Sequence, residues 1–168
     1  MPHATTNSAD VATELAADPT AAASLALTPA LAPTAIDSLA FARGGGEIAG
    51  TVPLAGLPRL VDDALALAGE LVVELRGWRD AEGKSWLGLR IQGDMLTRCQ
   101  RCLESVTLPL RIDSRLQLIA PGEAWPDDDL TDDAADAMVD AIEADQALDV
   151  LALVEDEVLL ALPTAPLH

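Results

Sequence analysis

Apolar and polar residues alternate with period two through the middle of the chain. Over Glu70–Arg79, Leu71, Val73 and Leu75 fall on one face and Glu70, Glu74 and Arg76 on the other. Over Lys84–Gln92, Leu87, Leu89 and Ile91 share a face, with Trp86 and Arg90 opposite. Alternation on both sides of a turn predicts a β-hairpin. Cross-strand partners must lie on one face, so odd residues pair with odd ones. A tight connection then sets Trp78 opposite Trp86, Glu74 opposite Arg90, Leu75 opposite Leu89 and Val73 opposite Ile91. It leaves Ala81-Glu82-Gly83 as the loop, with Gly83 in the left-handed position. A slip of one residue would drive Glu74 or Arg90 into the core.

The flanking segments are read the same way. Glu47–Val52 alternates and predicts a strand, limited by Pro53. Ile36–Ala42 fits a helical turn or a short strand, and Leu54–Ala68 a loop followed by a short helix near Val61–Leu67. Asp94–Cys99 and Leu103–Ile112 predict a second pair of strands joined at Cys99-Gln100-Arg101-Cys102, with Val106, Leu108, Leu110 and Ile112 on the apolar face. Pro109 belongs at an edge, where no ladder donor is needed. Leu116, Leu118 and Ala120 continue the alternation, Pro121–Asp133 is an acidic loop, and Ala134–Ala144 a loose acidic helix. Leu148–Leu162 has helical period: Leu151, Val154, Val158 and Leu162 form a stripe that Leu153 and Leu160 widen, with Glu155-Asp156-Glu157 on the other face. Asp149 is its cap and Pro163 its stop. Strands first and a packing helix last predict an α+β fold: a twisted antiparallel, partly barrel-like sheet of hairpins with a C-terminal amphipathic helix packed on it.

Charge divides the chain into three. The 168 residues carry a formal charge of −18. Residues 1–42 hold four acids and no base, residues 43–115 hold all ten bases and ten acids, and residues 116–168 hold fourteen acids and no base. With three Trp, one Phe and no Tyr, the chain as a whole is not a basic, aromatic-rich nucleic-acid binder. The first 35 residues, rich in Ala, Thr and Pro, predict a flexible tail; residues 36–168 predict a single domain with an acidic loop over 121–147. No Lys or Arg precedes Arg43, so neither a secretory signal nor a transit peptide is expected, and Pro19–Ile36 is too rich in proline for a membrane span. The expected compartment is the cytoplasm, where two cysteines stay reduced.

Candidate chemistry gathers around the cysteine turn. Cys99-x-x-Cys102 has the spacing of two zinc thiolates, and His168 is a candidate third ligand. The same pair also reads as reduced thiols without metal, or as a redox dithiol, although its strand flanks lack the helix N-terminus that lowers a thiol pKa. Arg98, Arg101, Arg111 and Arg115 fall among only two acids, Glu104 and Asp113. This local cationic island can meet phosphates or pair with the acidic C-terminal third. Gly83-Lys84-Ser85 lacks the upstream glycine and following helix of a phosphate loop, because position 78 is Trp. Counting from Asp127, the run to Asp133 has Asp132 where a calcium loop needs Gly and Met138 where it needs Glu. No Ser–His–Asp constellation is evident, so catalysis is not expected.

Cys99-Gln-Arg-Cys102 at a strand end, followed by Leu153-Val-Glu-Asp-Glu-Val-Leu-Leu-Ala-Leu-Pro163-Thr-Ala-Pro166-Leu-His168, resembles the YceD family of large ribosomal RNA subunit accumulation proteins. Ile36–Ala42 and Leu57-Pro-Arg-Leu60 also fit, so the resemblance runs over Ile36–His168. It implies a noncatalytic bacterial cytoplasmic factor for accumulation of 23S rRNA, with precursor or 23S rRNA, a basic large-subunit ribosomal protein, or both, as partners. It carries over no catalytic residues. A zinc-dependent interaction module built on Cys99, Cys102 and His168 is the alternative function, and a thiol oxidoreductase a more distant one.

Overall fold

The computed structural model describes residues 29–62, 68–125, 140–164 and 166. In chain order the elements are β1 (Ala35–Ile36), α1 (Ser38–Arg43), β2 (Glu47–Pro53), a 3-10 turn (Leu54–Gly56), α2 (Pro58–Asp62), β3 (Ala68–Arg79), β4 (Ser85–Arg98), β5 (Ser105–Ile119), β6 (Asp140–Glu143), β7 (Leu148–Asp149) and α3 (Val150–Ala161). The class is α+β. Five strands form one sheet in the order β2-β3-β4-β5-β6, and β1 pairs with β7 in a second, two-stranded sheet. The neighbours from β2 to β5 are antiparallel; β6 runs parallel to β5.

The central hairpin has the register its alternation dictates. Trp78 faces Trp86, Glu74 faces Arg90, Leu75 faces Leu89 and Val73 faces Ile91. Gly83 has a φ of 86°, a conformation that costs glycine little because it lacks a Cβ. Asp80 ties the loop together. One carboxylate oxygen accepts from the backbone N–H groups of Glu82 at 3.0 Å and Lys84 at 2.9 Å, and the other from Trp86 Nε1 at 2.8 Å. The Trp86 hydrogen bond, and then those from the Lys84 and Glu82 backbone, hold the Asp80 carboxyl below its ordinary value of 3.8, against partial desolvation. A carboxyl with a lowered folded pKa stabilises above its unfolded value, and that stabilisation is lost as pH falls through the folded one. Asp80→Asn is therefore expected to lower the melting temperature at neutral pH and to remove this group's share of the acid-side loss. Melting curves against pH, with the Trp86 indole N–H resonance as the local probe, measure both.

Two breaks in the apolar alternation have structural causes. β4 continues unbroken through Gly93, which takes a core-facing position where a Cβ would come within 2.4 Å of Glu70 O. The missing side chain reflects close strand approach, so Lys84–Gln92 and Asp94–Cys99 are one strand. β5 likewise runs past Ile112, because Ser114 occupies a core-side position and hydrogen bonds to Glu157 of α3. Pro109 lies in the part of β5 that β6 does not reach, an edge with no second strand beside it among the described residues.

One sheet face is covered. Leu71, Val73, Leu75, Leu87, Leu89, Ile91, Leu110 and Leu116 are buried with Val150, Val154 and Val158 of α3 and Leu54, Leu57 and Leu60 before and within α2. Asp149 caps α3, its side chain accepting from Leu151 N and Ala152 N. The helix face differs from the expected stripe: Leu160 is 80% exposed, whereas Glu155 and Glu157 are buried. Both acids have partners that make burial tolerable. Glu155 accepts from Arg59 N at 2.7 Å, Leu60 N at 3.3 Å and Arg59 Nε at 2.9 Å, and Glu157 takes the Ser114 hydroxyl.

Other expectations are corrected. The sheet does not close into a barrel, because β2 and β6 remain separate edges; β2 is instead covered by a parallel bridge from Ala30 to Thr51. Residues 29–35, grouped with the tail by composition, pack on the domain: Leu31 is buried and its N–H donates to Thr51 O. The helix expected near Val61–Leu67 begins earlier, at Pro58, whose fixed φ suits a first helical position. Asp140–Glu143, expected in an acidic helix, is the strand β6, and Ala144 N donates to Ile119 O at 2.8 Å. The rest of that segment, the run Asp127–Asp133 and residues 1–28 lie outside the described residues.

Candidate nucleic-acid interface

The face of the sheet away from the helices is polar and exposed, and its composition follows from strand register. On β3 it carries Glu70, Val72, Glu74, Arg76 and Trp78; on β4 Trp86, Gly88, Arg90, Gln92, Asp94, Leu96 and Arg98; on β5 Thr107, Pro109, Arg111, Asp113, Arg115 and Gln117. Three of the four island arginines, Arg98, Arg111 and Arg115, are on this face, and Arg101 is exposed in the turn at its end. At about 3.4 Å per residue, Arg111 and Arg115 stand roughly 14 Å apart along β5, and the row of Arg98 lies roughly 20 Å from that of Arg111. What is a compact island in sequence is thus an extended stripe in space.

Register also brings in cations from outside the island. One row across the sheet reads Glu47, Arg76, Gly88, Arg115; the next reads Ala49, Glu74, Arg90, Asp113. Arg90 pairs with Asp113 at 3.0 Å and Glu74 at 3.8 Å, and Arg76 with Glu47 at 3.4 Å. The Asp113 hydrogen bond raises the Arg90 pKa further above its ordinary range. Such exposed pairs order the surface more than they stabilise it. Among the described residues, no ion pair includes Arg98, Arg101, Arg111 or Arg115. The acids of the C-terminal third that do form ion pairs, Glu155 and Asp156, both hold Arg59, well away from the stripe in sequence.

The cysteine turn closes the β4–β5 hairpin. Cys99 N donates to Glu104 O at 2.8 Å and Leu103 N to Cys99 O at 3.0 Å, with Leu103 in the left-handed region at φ 63°. Cys99 is buried and Cys102 exposed. Gln100 N donates to Pro166 O at 3.0 Å, which brings the segment after α3 against this turn. His168, the expected third zinc ligand, lies outside the described residues. Among the described residues no group of three or more His, Cys, Asp or Glu side chains is placed to hold a metal ion.

A family model described as "Large ribosomal RNA subunit accumulation protein YceD" matches residues 87–168. Over these residues the chain is similar to the YceD family. The YceD region thus starts within β4 and takes in β5, β6, β7, α3, the cysteine turn and all four island arginines. Trp78, Trp86 and Arg76, and the fitting segments Ile36–Ala42 and Leu57–Leu60, precede it. No curated protein and no solved structure matches the chain. Among the described residues, no helix is long and apolar enough to cross a membrane.

The sequence missed Arg76, Arg90 and Trp78 as neighbours of Arg115. The hairpin register already placed Trp78 beside Trp86 and Arg90 beside Glu74. The missing signal was the β4–β5 register, which sets Arg115 against Gly88. The apolar gap at Gly93 and the polar Ser114 concealed it.

Proposed function

We propose that this protein is a noncatalytic factor in bacterial large-subunit biogenesis, working in the cytoplasm to support accumulation of 23S rRNA. The arginine-bearing sheet face contacts precursor or 23S rRNA, and the acidic C-terminal third turns toward a basic large-subunit ribosomal protein. The reading is supported chiefly by the alignment of Arg98, Arg111 and Arg115 on one face within the YceD region. Guanidinium groups that make no ion pair among the described residues are suited to phosphates. Residues 116–168 carry fourteen acids and no base, so one molecule can hold a basic protein there while presenting the arginines of the sheet face to RNA. Attraction of this kind speeds encounter and weakens with salt. Deleting the gene is expected to lower mature 23S rRNA relative to 16S, with precursor ends accumulating, and complementation by the full chain to restore the ratio. An unchanged 23S-to-16S ratio and unchanged precursor profile contradict this function.

A further inference from the structure

The polar sheet face holds one aromatic feature. Trp78 and Trp86 stack on one another there, with rings parallel within 9° and centroids 6.3 Å apart. Trp86 is anchored through Nε1 to Asp80. Trp78 lies over Gly88 on the neighbouring strand; a Cβ at that position would come within 2.9 Å of its ring. Glycine here lets an indole lie against the strand backbone. On the row of Gly88, Arg76 stands on one side and Arg115 on the other. With Glu74, Arg90 and Asp113 these residues line an open groove of about 460 Å³. Arg76 and Arg90 are committed to carboxylates, whereas Arg115, and Arg111 one row beyond Asp113, make no ion pair among the described residues.

We propose that this groove takes an unpaired nucleobase of single-stranded RNA, stacked on Trp78, with the adjoining phosphates on Arg115 and Arg111. The inference rests on the rRNA-contact reading and adds which form of RNA is held. Four considerations favour it. A ring laid on a sheet and flanked by guanidinium groups offers a flat apolar surface beside cations, the combination that suits a base and its phosphates. The groove lies in the size range of small-ligand sites, so a base with its ribose fits. The bases of a duplex are stacked on one another, leaving only backbone for the arginines. A basic protein segment would meet cations of its own sign on this stripe.

The test uses the full chain and two labelled RNAs of equal length, a single-stranded oligoadenylate and a blunt, fully paired duplex, in fluorescence anisotropy titrations at several salt concentrations. Trp78→Leu keeps apolar bulk but removes the ring. Gly88→Ala keeps both indoles and pushes the Trp78 ring off the strand. Each is expected to weaken single-strand binding by roughly 5- to 100-fold while leaving duplex binding and the salt slope unchanged. Trp78→Phe is expected to retain most of the affinity. Circular dichroism and melting confirm that each variant is folded. Should either folded variant bind the single strand as the parent does, or lose duplex affinity equally, the stacking site is overturned and the rRNA-contact reading stands. Failure of the parent chain to bind either RNA at low salt overturns the rRNA-contact reading and this site with it.

Discussion

Glu155→Ala is expected to lower the stability of the fold by about 2–4 kcal/mol. Glu155 is 4% exposed, and its carboxylate accepts three N–H groups, two of them from the backbone at the start of α2. Backbone donors in the first turn of a helix have no partner within it. Truncation leaves the Arg59 and Leu60 amides without this acceptor, at a cost of about 1–3 kcal/mol for each group that stays unsatisfied. It also frees the Arg59 guanidinium, but that side chain is half-exposed and is rehydrated at little cost. The loss therefore comes mainly from the two amides, and only secondarily from the ion pair. Glu155→Gln keeps one carbonyl acceptor and is expected to cost less. Asp156→Ala, which removes only the exposed partner of Arg59, is expected to change stability by under about 1 kcal/mol. Urea unfolding at neutral pH separates the three variants, with midpoints moving at constant slope. A midpoint for Glu155→Ala equal to that of Asp156→Ala would show that the α2–α3 clamp is not what holds these elements together.

Reversing Arg98, Arg111 and Arg115 together to glutamate is expected to reduce affinity for single-stranded 23S-derived RNA by roughly 50-fold or more at physiological salt. Each phosphate neutralised on a single strand contributes about 0.7 to the slope of log affinity against log salt, so removing three phosphate-binding arginines weakens binding by nearly two decades at ~0.15 M salt. The slope itself is expected to fall by about 2. All three side chains lie on the polar sheet face, away from the core, so the fold is expected to be unaffected. A matched reversal of Arg43, Arg79 and Lys84, which are exposed and lie off the stripe, controls for net charge. Equal losses from the two triples would mean that bulk charge, and not the sheet face, drives association.

Much of the fold was legible because one face of a half-buried sheet imposes period two. Leu71, Val73 and Leu75 against Leu87, Leu89 and Ile91 specified both the hairpin and its register. Asp149 and the apolar spacing after it specified α3. The failures cluster where a side chain's role depends on a distant partner. Glu155 and Glu157 read as a solvated face because nothing local announces the amides of Arg59 and Leu60 or the hydroxyl of Ser114. Leu160 reads as core by spacing, yet it is exposed. Gly93 looks like a strand end in one dimension and is a close strand contact in three. β6 is four residues long and pairs across a long connection, so no period could mark it. For the site, the arginines were visible as types and the stripe was not. A charge tally reports neighbours in sequence, while register sets neighbours on a sheet. The net charge of −18 divides along the sequence: residues 116–168 hold fourteen acids and no base, and the arginines of the stripe all precede them.

Crosslinking in living cells tests the central claim most directly. Ultraviolet irradiation of cells carrying the tagged full chain, followed by denaturing capture and sequencing of the attached RNA, is predicted to enrich 23S and precursor segments over 16S. The Arg98, Arg111 and Arg115 triple reversal, expressed at the same level, is predicted to lose that enrichment. Recovery of 23S segments undiminished by the triple reversal, or no enrichment of 23S by the parent chain, would contradict direct contact between this sheet face and the large-subunit RNA.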